Sequence, residues 1–497
     1  MHKRFGAVLA NVNVNLTVRA GTVHGLVGEN GAGKSTLMSV LYGFYRADSG
    51  SIAVNGHDVE IHNADDAIAL GIGMVHQHFM LVDTLTALEN VMLGAEPHWL
   101  LQRATATVRG KLETLMQATG LHVQLDTLVA DLAVGDRQRL EILKALYRGA
   151  RVLILDEPTA VLTPQETLQL FDVLKGLRGQ GTTIILITHK LKEVMGLCDY
   201  VTVMRAGQVV EELPISQATI AGLAEAMVGR KVHIGRVEGD VGPPGEVLLS
   251  AQGLEVKDAL KVLRLSGVNL QLRAGEIVGI AGVSGNGQSE LLDVLSGLLT
   301  PSAGELKVLG QSFSPSSWLD PQTARSLGLA HVPEDRHARA LVMAFAAWES
   351  AVLGYDGLAQ YCSGPWMRHE AMQHATSDMM ERFDVRPRDP ALLSSKFSGG
   401  NQQKVVLARE LGQEPKVLLV GQPTRGVDIG AIEFIYTQLR AMRDAGCAVL
   451  VVSSELDEIL ALSDRVIVMN QGRIAGELAI SQCTEAGLGL LMTGASQ

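Results

Sequence analysis

The sequence predicts an α/β fold built twice: two tandem domains of one kind, each organised around a phosphate-binding loop. Three observations predict it. At 497 residues the chain is too long for one core and suits two domains of roughly 200 to 250 residues. Gly28-Glu29-Asn30-Gly31-Ala32-Gly33-Lys34-Ser35 fits G-x-x-x-x-G-K-S/T, and Gly282-Val283-Ser284-Gly285-Asn286-Gly287-Gln288-Ser289 repeats it with glutamine in place of lysine. The flanks repeat too, Leu26 to Gly43 matching Ile280 to Gly297, and Asp48 to Ile52 matching Ser302 to Leu306. A repeat of that length means homologous domains, not a solenoid of short units. Finally, short apolar runs ending in Gly-rich or acidic turns alternate with helical patterns.

In chain order, Val23 to Val27 reads as a strand, Gly28 to Ser35 as the loop, and Thr36 to Leu41 as the following helix, the context that makes the motif credible. Glycines 28, 31 and 33 let the backbone turn its amides toward a polyphosphate at a helix N-terminus. Lys34 would hold the β- and γ-phosphates and Ser35 would ligate Mg²⁺. A Gly-rich turn ahead of a core helix is the bland alternative. Arg151 to Leu155 and Thr182 to Thr188 read as further buried strands, each delivering polar residues at its C-terminal end, where open parallel sheets hold ligands. The first ends in Asp156-Glu157, an acid for a magnesium shell and a carboxylate to polarise water. The second ends in His189, within reach of a γ-phosphate. Alone, such an acidic pair opens a solvated loop and such a histidine is structural; with Lys34 in this order they read as one site.

Composition narrows the classes. Apolar residues make up 47% and charged residues 19%, with 15 prolines, the balance of an ordered globular chain. The longest apolar runs, such as Val152 to Leu155 and Ala448 to Val452, fall far short of the roughly 20 residues a bilayer requires, so the chain is expected not to span a membrane. The N-terminal residues lack a secretory core, which predicts a cytosolic protein. Cys198, Cys362, Cys447 and Cys483 are too scattered for a zinc site or a disulfide framework and are expected to be reduced and mostly buried. His76-x-His78 has no third ligand nearby, against a metal site. A net charge of -11 disfavours nucleic acid as a partner. The glycines and prolines between Val228 and Val247 read as a linker, giving a first domain over 1–232, a linker over 233–246 and a second domain over 247–497.

These residues resemble the ATP-binding cassette (ABC) proteins over essentially the whole chain. The resemblance implies two tandem P-loop NTPase cassettes, each a mixed-sheet core with a helical subdomain, binding ATP and Mg²⁺. It adds Gln77, after a strand ending Met74-Val75-His76, as a sensor of the γ-phosphate and a metal ligand beside Ser35 and Asp156. Glu157, His189, Lys34 and Gln77 would then carry catalysis. Nucleotide contacts would come from Gly28, Glu29, Asn30, Gly31, Ala32, Gly33, Lys34, Ser35 and Thr36, with Phe5 either stacked on adenine or packed in the core. The family's LSGGQ motif is matched by Phe397-Ser398-Gly399-Gly400-Asn401-Gln402-Gln403 in the second copy and degraded to Leu132-Ala133-Val134-Gly135-Asp136 in the first.

Cassettes of this family pack head to tail, so the resemblance implies a composite site joining Lys34, Asp156, Glu157 and His189 to Ser398, Gly399 and Gly400, with Asp428 contributed by the second copy. The opposite site would have Gln288 for the lysine, Gly421-Gln422 for the acidic pair, Ser454 for the histidine, Ala133 to Asp136 for the signature and Thr163 for the aspartate. With both carboxylates lost, that site is expected to hydrolyse nothing and to bind nucleotide weakly. Pairing within one chain avoids mismatching good and degraded parts. A tandem cassette of this asymmetry resembles importers of small polar nutrients. The stretches 75–82, 141–148 and 158–166, and the missing acidic pair at Gly421-Gln422, favour the nucleoside branch over the simple-sugar branch. The implied setting is the cytoplasmic face of the membrane, with two integral permease subunits and an extracytoplasmic substrate-binding lipoprotein, and with Gln77 and Glu334 on the segments that pass motion to the permeases. A soluble cassette protein outside transport is the remaining alternative.

Overall fold

The computed structural model describes all residues except 7, 77–78, 96–104, 160–161, 163, 232–234, 237–241, 259, 284 and 494–497. The chain divides into two compact units, Met1–Val232 and His233–Gln497. Each is an α/β cassette with a mixed sheet.

In the first unit a six-stranded sheet runs in the order Gln208–Pro214, Tyr200–Arg205, Val23–Gly28, Thr183–Ile187, Val152–Asp156, Ile72–Val75. All neighbours are parallel except the edge strand Gln208–Pro214. The inner strands read as continuous apolar runs because helices cover both faces of a parallel sheet. Thr183-Ile184-Ile185-Leu186-Ile187 is buried throughout, while Gln208–Pro214 is half-buried to exposed along its length. Register fixes the site: Ile187 pairs with both Leu26 and Asp156, so the segments after the three strands leave the sheet at one level. Helices Ala87–Met92, Thr105–Thr119 and Val134–Tyr147 form the helical part, with Val108, Leu112, Leu140 and Leu143 buried. Thr86 and Glu89 close a capping box at the first of them, answering the orphan amides of its opening turn.

The second unit repeats this arrangement. Its six strands run Leu329–Val332, Val417–Gly421, Ala448–Ser453, Ile277–Ala281, Arg465–Asn470, Arg473–Ala479, again with Ala281 beside Ser453 and Gly421 beside Val452. A separate four-stranded antiparallel sheet is built from Leu263–Arg273, Val247–Lys257, Ala303–Val308 and Gln311–Phe313. Helices Ala347–Val352, His369–Arg382 and Gly399–Leu411 form the helical part.

Described residues of the Gly/Pro-rich stretch lie against the second unit. Gly235 accepts a hydrogen bond from Arg440 at 3.0 Å, Arg236 donates to the Ser463 carbonyl at 2.7 Å, and Gly245 donates to the Ala274 carbonyl at 2.8 Å. The four cysteines are free; Cys198 and Cys447 are buried, whereas Cys362 and Cys483 are half-buried. The sequence reading of mostly buried thiols thus fits two of the four, the others lying on a short hairpin and beside a surface 3-10 turn. Among the described residues no helix is long and apolar enough to cross a membrane.

Candidate active site

The first phosphate loop joins the strand Val23–Gly28 to the helix Lys34–Leu41. That helix starts two residues earlier than the apolar pattern predicts, because Lys34 and Ser35 already have helical geometry. Gly33 caps it at φ 98°, a left-handed conformation that a Cβ strains. A Cβ there would also lie 2.3 Å from the Ala10 carbonyl oxygen, so backbone and surroundings both require glycine. Lys34 is only 6% exposed. Its ammonium donates to the carbonyls of Gly28 at 2.6 Å and Glu29 at 2.9 Å, curling over the loop it belongs to. Burial pushes its pKa down, opposed by the charges of Glu157, Asp156 and Glu29.

Asp156 closes its strand at 8% exposure. Burial and the neighbouring Glu157 push its carboxyl up, while a hydrogen bond from the Ser35 hydroxyl and the charge of Lys34 pull it down. Glu157 follows in a left-handed conformation, φ 47°. Its Oε1 lies 2.9 Å from His189 Nδ1. Burial would raise the Glu157 pKa, but the His189 hydrogen bond and the charges of His189, Lys34 and Lys190 outweigh it and hold the carboxyl below its usual range. One end of the first sheet therefore gathers Lys34, Ser35, Asp156, Glu157 and His189. Glu29, Asn30, Gly31, Ala32 and Thr36 belong to the same loop and helix start. Gln77 lies outside the described residues, as do His78 and Thr163.

Phe5 sits on the strand Lys3–Phe5 and is 42% exposed. Its ring meets Tyr45 edge-on at 5.0 Å, with the Lys3 ammonium 5.3 Å from its centroid. The core-packing alternative is thereby overturned. The His76 ring lies edge-on to Tyr42 at 6.1 Å and tilted against Phe44 at 5.4 Å.

A residue absent from the sequence reading ties the two candidate segments together. Glu193, 7% exposed, accepts from the Thr159 hydroxyl at 2.5 Å with Oε1 and from the Thr188 hydroxyl at 3.1 Å with Oε2. It thus links the segment after Glu157 to the residue before His189. The second unit repeats the link through Glu458, hydrogen-bonded by Ser453 and Thr424. The signal was present as a pair of glutamates at matching places in the two copies, after His189 and after Ser454.

Ser398 caps the helix Gly399–Leu411, accepting from the Asn401 amide at 3.4 Å. Asp428 caps the next helix through the Ala431 amide at 2.8 Å. In the first unit Ala133 stands at the corresponding helix start and supplies no side-chain cap. The extra charge of Asp136 is offset by Arg139 at 2.8 Å.

The two phosphate loops match at their left-handed glycines. Gly285 and Gly287 have φ 90° and 98°, against 83° and 98° for Gly31 and Gly33, and Gln422 repeats the φ of 47° found at Glu157. Gln288 bends back to donate to the Val283 carbonyl at 3.1 Å, and Gln422 accepts from the Ser454 amide at 3.3 Å and hydroxyl at 3.1 Å. Both acids are lost at Gly421-Gln422, and Glu334 reaches in from the segment after Leu329–Val332 to accept from the Ser289 hydroxyl at 2.6 Å.

The model of the family described as "ABC transporter" matches residues 12–160 and 265–425, one stretch in each unit. The chain belongs to the ABC transporter family. It is an ATPase of that family with two cassettes in tandem. Among full-length ABC relatives, the nucleoside import ATP-binding protein NupA of Lactococcus lactis subsp. cremoris is 43% identical, covering 99% of this chain and 96% of that protein. The guanosine import ATP-binding protein NupO of Bacillus subtilis is 43% identical, covering 100% and 97%. The glucose import ATP-binding protein TsgD13 of Haloferax volcanii is 42% identical, covering 99% and 94%. A crystal structure of archaeal ribosomal stalk protein aP1 with the ribosome recycling factor aABCE1 matches with a TM-score of 0.67 at 19% identity, covering 99% of this chain and 92% of that one. At that identity the likeness is one of fold.

Proposed function

We propose that this chain is the ATP-hydrolysing subunit of a nucleoside importer, working at the cytoplasmic face of a membrane with two integral permease subunits and an extracytoplasmic substrate-binding lipoprotein. The observation that carries the cargo class is full-length identity of 43% to the nucleoside and guanosine import proteins. A glucose import relative at 42% keeps a simple-sugar importer as the second reading. The chain's net charge of -11 and the family argue against nucleic acid as a partner.

In this reading Lys34 and the amides of Gly31 to Thr36 hold the β- and γ-phosphates, and Phe5, exposed beside Tyr45, offers a ring for adenine. The Ser35 hydroxyl and Asp156 carboxylate are hard oxygen donors of the kind Mg²⁺ takes, and Gln77 joins them. Mg²⁺, when bound, would neutralise charge on the transferring phosphoryl group. Glu157, kept ionised, accepts a hydrogen bond from the attacking water and orients it, and His189 holds Glu157 in place. Ser398, Gly399 and Gly400 would complete the site from the second cassette within the same chain, with Asp428 nearby. Closure of the cassettes on ATP and reopening after hydrolysis would move permease loops contacting the segments of Gln77 and Glu334.

The test is uptake of labelled nucleosides and of ribose in cells carrying the wild-type chain or Lys34→Ala. Loss of nucleoside uptake alone supports the reading. Loss of ribose uptake alone moves the protein to the sugar branch, and loss of neither removes transport from its role.

A further inference from the structure

In the first unit the helix Val134–Tyr147, which carries the degraded signature, and the helix Pro164–Gly179 leave a cleft of about 320 Å³ between them. Leu121, Gly135, Gln138 and Leu170 are buried residues of its lining, and Leu162 and Val173 are half-buried beside them. Gln138 is 3% exposed, and among the described residues its Nε2 has no hydrogen-bond partner. A buried donor left unpaired is costly, and a ligand carrying an acceptor would remove that cost.

The second unit treats the same place differently. Gln403 follows Gly400 by three residues, as Gln138 follows Gly135, and its Nε2 is also unpartnered among the described residues. Phe434 is the sixth residue of Ile429–Asp444, where exposed Gln169 is the sixth of Pro164–Gly179. Phe383 precedes the left-handed Asp384 as Thr119 precedes the left-handed Gly120. The two phenylalanine rings meet at 6.0 Å, and the Lys404 ammonium lies 5.0 Å from the Phe434 centroid. Both units therefore leave an amide over. Aromatic packing closes the space in the second, and smaller or polar residues leave it open in the first.

Charge narrows what can enter. Glu166 and Asp172 line the cleft with Arg139, whose guanidinium donates to Asp136 and to Gln169 at 2.8 Å each. Two carboxylates against one guanidinium leave the lining one negative, which disfavours phosphates. An uncharged flat molecule fits better, with a carbonyl or ring nitrogen for Gln138, N–H or O–H groups for the carboxylates, and faces for Leu121, Leu162 and Leu170. A nucleobase carrying ribose has all three, and the volume is that of a small-molecule site.

We propose that this cleft of the first cassette binds a nucleoside, the uncharged class of cargo assigned above, separately from ATP. The choice of ligand rests on that cargo reading. None of the lining residues belongs to the phosphate loop, to Asp156-Glu157 or to His189, so the two ligands do not compete.

The test is equilibrium dialysis of the purified full-length chain against labelled guanosine, adenosine and uridine, with saturating AMP-PNP present to fill the nucleotide sites. At least one nucleoside should bind at one per chain, and its 5′-monophosphate at least about tenfold more weakly because of the added charge. Gln169→Phe, which places the ring of the second unit at an exposed position, should abolish binding, and Gln138→Leu should weaken it about tenfold. Thermal unfolding of each variant checks that the first unit folds. Absence of nucleoside binding, equal binding of the monophosphate, or a folded Gln169→Phe chain that binds like the wild type overturns the proposal. Nucleoside uptake without such binding removes the cleft and leaves the cargo reading standing. Binding by a chain that supports only ribose uptake keeps the cleft and removes the cargo reading.

Discussion

Glu157 Oε1 and His189 Nδ1 are 2.9 Å apart, on side chains 15% and 26% exposed. In the proposed reaction this contact leaves Glu157 as the carboxylate available to water. Of the adjacent acids, Asp156 is pushed up by burial and by Glu157, and Glu157 is held down despite its burial. Glu157→Gln keeps the shape and removes the base. Phosphate release should fall by at least about a hundredfold, in the range lost with a general base, while binding of a fluorescent ATP analogue changes little. Hydrolysis at the wild-type rate would contradict the assignment.

Glu193 ties the segments of this pair together. Its two oxygens hold the Thr159 and Thr188 hydroxyls, fixing the spacing between the segments that carry Glu157 and His189. Glu193→Gln retains an acceptor for only one of them. The expected result is a kcat reduced about tenfold with KM for ATP nearly unchanged, whereas Glu193→Asp, which keeps both oxygens, should recover part of the rate. Losing ground-state binding instead would make Glu193 a purely structural anchor. A misplacement of about 1 Å is enough to produce such a loss in rate.

Much of this was legible in the sequence, for physical reasons. Parallel strands covered on both faces are written as unbroken apolar runs, so Val152 to Leu155 and Thr183 to Ile187 declare themselves, and a loop that needs glycine at Gly33 has little freedom to be anything else. What stayed hidden depends on tertiary contact. In the sequence Glu334 reads as a coupling residue beside Gln77, and only the fold brings it to Ser289 and over Gly421. Glu193 looks like an ordinary first-turn glutamate until Thr159 is seen across from it. The exposure of Phe5 follows from its place on a two-stranded ribbon, which residue type alone does not reveal.

The signature helices differ at their N-cap residue. Ser398 caps Gly399–Leu411, and Ala133 supplies Val134–Tyr147 with no side-chain cap of its own. Ala133→Ser should therefore stabilise the first unit by about 1 kcal/mol, the usual worth of a cap, seen as a higher thermal midpoint with no gain in hydrolysis. Ser398→Ala should cost about as much stability and, if this helix start completes the competent site, should also lower the ATPase rate with nucleotide binding intact. A rate that tracks stability alone would detach Ser398 from catalysis.

Glu458 carries a pH dependence of its own. It is fully buried; burial pushes its carboxyl up to about 7, assisted by Glu455 and opposed by hydrogen bonds from Ser453 and Thr424. Among the described residues its Oε1 has no hydrogen-bond partner, and Tyr436, from the helix Ile429–Asp444, feels its charge. Because the folded pKa lies above the unfolded one, the folded chain keeps a proton that the unfolded chain has already released between about pH 4.5 and 7. Stability from this group is complete below that window, falls as pH rises through it, and is flat above. The penalty at pH 8 is on the order of 3 kcal/mol at most. Glu458→Gln keeps an acceptor for both hydroxyls and cannot ionise. Its thermal midpoint should exceed that of the wild type at pH 8 and approach it at pH 5. An equal difference at both values would mean that Glu458 does not titrate in this range.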